Sequence, residues 1–126
     1  MKQILNVGVL AVLLCACSKG DRIVDPNTEL PQGILSCETN TQEVCGLWKL
    51  EDGRYHAEWL QGSRAYIEIV KFDSDSLVFT RTDYAGPTPN MRATYRGGRD
   101  GRSTRDGVAT WQNDGLTYSG PWRASW

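Results

Sequence analysis

The chain of 126 residues has one histidine, two methionines and two phenylalanines, and its formal charge is nearly balanced at −1. A lone histidine, His56, leaves little for imidazole catalysis or for a histidine-rich metal site. The charge balance excludes a globally basic nucleic-acid binder. No apolar run reaches the ~20 residues a membrane-spanning helix needs. There is no phosphate-cradling glycine loop, no Gly-x-Ser-x-Gly and no Cys/His cluster. What is plentiful is glycine, thirteen residues, together with five Trp and five Tyr. That mixture points to an aromatic-rich β protein with many turns.

The first segment reads as an address. Lys2 supplies a positive start, and residues 7–16 form an apolar run of secretory length. Small Ala16 precedes Cys17, and Leu14-Cys15-Ala16-Cys17 resembles the lipobox of bacterial lipoproteins. Cys15 departs from the commoner Ala or Ser. Cys15 is not itself the modified residue, because Leu14 before it is too large for the cleavage pocket. The resemblance implies cleavage before Cys17, thioether lipidation of Cys17 and N-acylation, palmitate included. Several acyl chains together give a stable membrane anchor. Ser18 in place of Asp resembles the sorting pattern of outer-membrane lipoproteins, which implies a periplasm-facing location.

On that reading Cys15 leaves with the signal and Cys17 carries lipid. Cys37 and Cys45 remain, an even pair in an oxidising compartment, and are expected to form a disulfide. The loop is short, so the chain-entropy gain is about 2.5 kcal/mol. A metal site at this pair lacks partners and has the wrong spacing.

The organisation expected is a signal at 1–16, a lipid-anchored flexible tether at 17–36 and one all-β domain at 37–126. Pro26, Pro31, Gly20 and Gly33 break any period in the tether. From Trp48 onward the apolar period is two. Strands are expected near 54–60, 64–72, 77–82, 91–96, 108–112 and 116–126, with loops at 83–90 and 97–104. Within them Tyr55, Ala57 and Trp59 share a face; Phe72 falls opposite Ile67 and Ile69. Asp114-Gly115 signals a tight hairpin. The fold expected is a small antiparallel β-barrel or meander of about seven or eight short strands. Gly53–Trp59 and Gly120–Trp126 both read Gly-x-aromatic-x-Ala-x-Trp, and Met91-Arg92-Ala93-Thr94-Tyr95 is a weaker copy. Alternating large and small inward residues fill the taper of a closed barrel, so these faces should meet in one core.

Gly46-Leu47-Trp48 on the first strand, with Arg123 on the last, is similar to the Gly-x-Trp start and packed Arg of calycins, the lipocalin and avidin-type barrels. That resemblance implies a barrel with a ligand cavity. Size, anchor and architecture also resemble the periplasmic lysozyme-inhibitor lipoproteins, small anchored β-barrels with a disulfide, which implies a protein partner.

Candidate chemistry is sparse. His56 falls outward beside Glu58, a pairing typical of a solvated face. Asp73, Asp75 and Asp83 are turn formers without the Gly and distal Glu of a calcium loop. No catalytic residue, metal or cofactor is assigned. Trp48, Tyr55, Trp59, Trp111, Trp122 and Trp126 are read as core or as stacking surface for a ligand. Arg92, Arg96, Arg99, Arg102 and Arg105 face only Asp100 and Asp106. Of these, Arg96, Arg99, Arg102 and Arg105 are the candidate partner-docking residues. The expected function is a non-enzymatic, lipid-anchored envelope protein that docks a protein partner. The alternatives are a small-ligand carrier with a Trp-lined cavity and a structural envelope lipoprotein. A filled interior with a protruding Arg loop favours docking; a ligand-sized cavity favours the carrier.

Overall fold

The computed structural model describes residues 23–25 and 28–126. The signal and lipidation readings at 1–16 and Cys17 lie outside the described residues. Nine strands follow in chain order: β1 (Ile23–Val24), β2 (Gly33–Thr39), β3 (Glu43–Glu51), β4 (Arg54–Trp59), β5 (Arg64–Phe72), β6 (Ser76–Ala85), β7 (Arg92–Asp100), β8 (Ser103–Asn113) and β9 (Leu116–Ser125). β2 to β9 close on themselves: β2 pairs with both β3 and β9, and β5 pairs with both β4 and β6. The result is an eight-stranded antiparallel barrel, each of whose strands pairs with a neighbour on both sides along part of its length. β1 runs parallel to the last residues of β5, where β4 no longer covers them.

The alternation expected from sequence is seen in the wall. Tyr55, Ala57 and Trp59 of β4 point inward, as do Ala93 and Tyr95 of β7 and Trp122 and Ala124 of β9. Their rings meet: Trp48 lies 5.2 Å from Phe79 and from Tyr95, and Tyr95 lies 5.2 Å from Trp122. Such edge and tilted pairs add about 0.5–1.5 kcal/mol each beyond burial. Asp114 and Gly115 both have positive φ, 51° and 79°, which is the turn that matches strand twist in a two-residue hairpin. Asp52 and Gly53 repeat it between β3 and β4, with φ of 54° and 80°.

Five expectations are corrected. The wall begins at Gly33, not at 37, because Ile34 and Ser36 are inward-facing members of β2. Residues 28–32 are not a free tether: the Leu50 N–H donates to Gln32 O at 2.9 Å, and Tyr55 Oη donates to Pro31 O at 2.7 Å. Phe72 is fully buried rather than outward, because a register shift between Ile69 and Lys71 flips the phase of β5. The segments expected as loops at 83–90 and 97–104 are partly strand: β6 runs on to Ala85, and β7 and β8 form one long hairpin that turns only at Gly101-Arg102. Arg123, expected as a packed arginine, is exposed and pairs with Glu43 at 2.8 Å on the outer wall.

Candidate functional site

Strand alternation sends β6 residues Leu77, Phe79, Arg81 and Asp83 to the inside. The first two join the aromatic core. The next two carry opposite charges into one end of the barrel. Arg81 donates from Nε to Asp83 Oδ1 at 2.6 Å and from Nη2 to Asp83 Oδ2 at 3.0 Å. Its Nη1 donates to Tyr95 Oη at 3.0 Å and reaches both oxygens of Glu38 at 3.4 and 3.3 Å. Tyr95 in turn donates to Glu38 at 2.9 Å, and the Trp111 indole N–H donates to the other Glu38 oxygen. Trp59 lies flat under the guanidinium, 3.8 Å from ring centre to Cζ. Glu38, Arg81 and Asp83 are all buried.

Two carboxylates therefore share one cation in a dry place. Burial lifts the Glu38 carboxyl above its usual range, against the opposing pull of Arg81 and the Trp111 and Tyr95 hydrogen bonds. Burial also penalises the charge on Arg81, yet its partners Tyr95, Asp83 and Glu38 keep the guanidinium charged. Burial, then the Glu38 charge, raises the Tyr95 phenol well above its normal value, so it stays neutral.

Above this floor the barrel opens into a mouth of about 250 Å³. Asn40, Gln42, Gln61 and Asn113 rim it with amides; Trp59, Trp111 and Tyr118 are among its aromatic walls. Gly46 makes room at one side. A Cβ there would sit 2.6 Å from the Trp59 indole nitrogen.

The aromatic candidates divide by position. Trp48, Tyr55 and Trp122 fill the centre of the core. Trp59 and Trp111 flank the charged cluster. Trp126 sits at the opposite end, 5.7 Å from Phe72. The Trp122 indole is satisfied by Ser36 Oγ at 2.8 Å.

The arginine candidates do not form one loop. Arg96 points outward from β7 and is exposed. Arg99 donates to Gly101 O at 2.7 Å and Asp73 O at 3.2 Å, and lies 5.0 Å from the Phe72 ring. Arg102 donates to the Trp126 main-chain oxygen at 2.7 Å, and Arg105 to Arg99 O at 3.5 Å. These three hold the end opposite the mouth together.

Cys37 and Cys45 are bonded across directly paired positions of β2 and β3, on the outer wall. Glu43 is close to both sulfurs, but they are spent in the disulfide and Glu43 pairs with Arg123. His56 shares the outer face of β4 with Glu58, packs on Tyr66 and lies 3.6 Å from Glu51. Asp73 accepts the backbone N–H groups of Asp75 and Ser76, which holds its carboxyl below the usual range. Asp83 is buried near the mouth end of β6, opposite Ala65, in its pair with Arg81. Outside, Leu35 and Leu47 lie opposite each other and border a groove with Leu60, which is fully exposed.

Sequence reasoning missed Glu38, Arg81 and Asp83. One signal was available: continuing the Leu77/Phe79 phase by two more steps puts Arg81 and Asp83 inside. The expected strand stopped at 82, and Glu38 carried no comparable pattern. Comparison of this chain with protein families, curated proteins and solved structures gives no match.

Proposed function

We propose that this chain is a lipid-anchored envelope protein that docks a protein partner through the end of the barrel farthest from its anchor. The observation that carries this reading is the packed interior. Trp48, Tyr55, Phe72, Phe79 and Tyr95 occupy the space a carrier would leave for its ligand. The mouth, at about 250 Å³, is smaller than the roughly 300–1,000 Å³ of drug-sized ligand sites.

Chain length supports the orientation. Cys17 precedes Ile23 by six residues, which span at most about 20 Å. β1 is fixed to Lys71 and Phe72, at the end of the barrel holding the C-terminus of β5. The mouth is at the other end, beside Ser63 where β5 starts. An anchor at Cys17 thus holds one end near the bilayer and aims the mouth away from it.

A photocrosslinking residue in place of Gln61 in the native lipoprotein, in cells, tests this. The expected result is a discrete adduct with an envelope protein, absent when the same residue replaces Ile23. No adduct from the mouth end of a folded, anchored protein, or a small molecule that co-purifies stoichiometrically, would refute docking.

A further inference from the structure

The mouth has a charge left over. Asp83 takes two short bonds from Arg81, so that pair is compensated. Glu38 receives only one Nη1 group, at 3.3 and 3.4 Å to its two oxygens, and that group also serves Tyr95. Its closer partners, Tyr95 and Trp111, are neutral donors. Among the residues lining the mouth, Glu38 and Arg81 are the charged ones, and Arg81 is already engaged by the buried Asp83, which does not line it. Two carboxylates against one guanidinium leave a net charge of −1 at a site walled by aromatic rings.

We propose that the distal mouth receives a lysine side chain of the partner protein, with Glu38 as its counter-ion and the Trp59, Trp111 and Tyr118 rings around its stem. An ammonium suits this mouth better than a guanidinium. It is a compact point charge with three rotatable donors on an apolar stem, whereas a second planar fork needs both carboxylate oxygens free. The Asn40, Gln42, Gln61 and Asn113 amides can bond the partner's main chain where the stem enters. Aromatic walls favour a cation over a neutral group of the same size. A single side chain also matches a space of about 250 Å³.

The inference rests on the docking reading, but its test needs no partner. Mature lipoprotein in neutral detergent is titrated with n-butylammonium, n-butanol and butyrate. The Trp111 indole N–H, bonded to Glu38, is followed by NMR. Butylammonium should saturate this signal in the millimolar range, while the alcohol and the acid leave it unmoved. Glu38→Gln should weaken the response at least tenfold. A second readout needs no variant. Protonation of Glu38 competes with the ammonium, so binding should fall as pH drops through the Glu38 titration. The charged or titratable groups facing Glu38 are Arg81 and Asp83 of β6 and Tyr95 of β7. Arg81 stays charged and Tyr95 neutral, and Asp83 remains paired with Arg81.

An equal response to butanol, an unchanged response in folded Glu38→Gln, or pH-independent binding overturns the proposal. So does no response to butylammonium. If butylammonium binds through Glu38 but Gln61 crosslinks to nothing, the pocket stands and the docking reading fails. If Gln61 crosslinks and Glu38→Gln leaves the adduct and the NMR signal unchanged, docking stands and the lysine pocket fails.

Discussion

Replacing Arg81 with Met keeps a side chain of similar length and removes the charge. The variant loses both bonds to Asp83, the bond to Tyr95, the contact with Glu38 and the stacking on Trp59. Two buried carboxylates then have no cation. Breaking a buried ion pair by deleting one partner costs about 3–5 kcal/mol. A domain of this size holds roughly 5–15 kcal/mol in total, so the loss is a large share. It corresponds to a melting temperature lower by roughly 15–30 °C. The loss should also carry a pH signature. Glu38 already has its carboxyl raised by burial, and Arg81 is the main opposing influence. Without Arg81 the folded-state value rises further above the unfolded one. A group shifted this way contributes its stability below its unfolded value, near 4.5, and loses it as pH rises through the folded value. The deficit of the variant should therefore be largest at neutral pH and shrink toward pH ~4. Urea unfolding followed by tryptophan fluorescence at both pH values measures it. A deficit under about 1 kcal/mol at neutral pH, or one that grows on acidification, would refute the idea of a desolvated charge cluster.

Gly46→Ala should displace the Trp59 indole from its place under Arg81 and cost about 1–3 kcal/mol, read from urea midpoints with an unchanged m-value. Trp122→Ala should cost about 3–5 kcal/mol, since it opens the aromatic centre and orphans Ser36 Oγ, whereas outward His56→Ala should stay within about 0.5 kcal/mol; parallel thermal melts decide whether that order is reversed. Cys37→Ser with Cys45→Ser should leave a folded barrel weaker by about 2.5 kcal/mol, because the bond joins strands that are already paired neighbours. Mass spectrometry of unreduced protein should show no free thiol at either position.

A period of two, a wealth of Trp, Tyr and Gly and an Asp-Gly turn were enough to dictate an antiparallel barrel or meander and the inward faces of Tyr55, Ala57, Trp59, Trp122 and Ala124; closure into a barrel came from the pairing of β2 with β9. These are local rules: pleat sets the face and φ sets the turn, and neither needs a distant contact. The disulfide too was legible, by counting cysteines once the N-terminal motif was read. Tertiary structure decided the rest. The bulge in β5 that turns Phe72 inward depends on which residues of β6 it must meet. Pro31 and Gln32 look like linker until Tyr55 and Leu50 bond their carbonyls. The arginines at 99, 102 and 105 look like a charged loop until Asp73 and Phe72 engage Arg99, Trp126 engages Arg102 and the Arg99 carbonyl engages Arg105. Glu38 and Arg81 are 43 residues apart, and each alone reads as an ordinary solvated charge. Only barrel closure, by bringing β2, β6, β7 and β8 to one end and expelling water there, makes them a site.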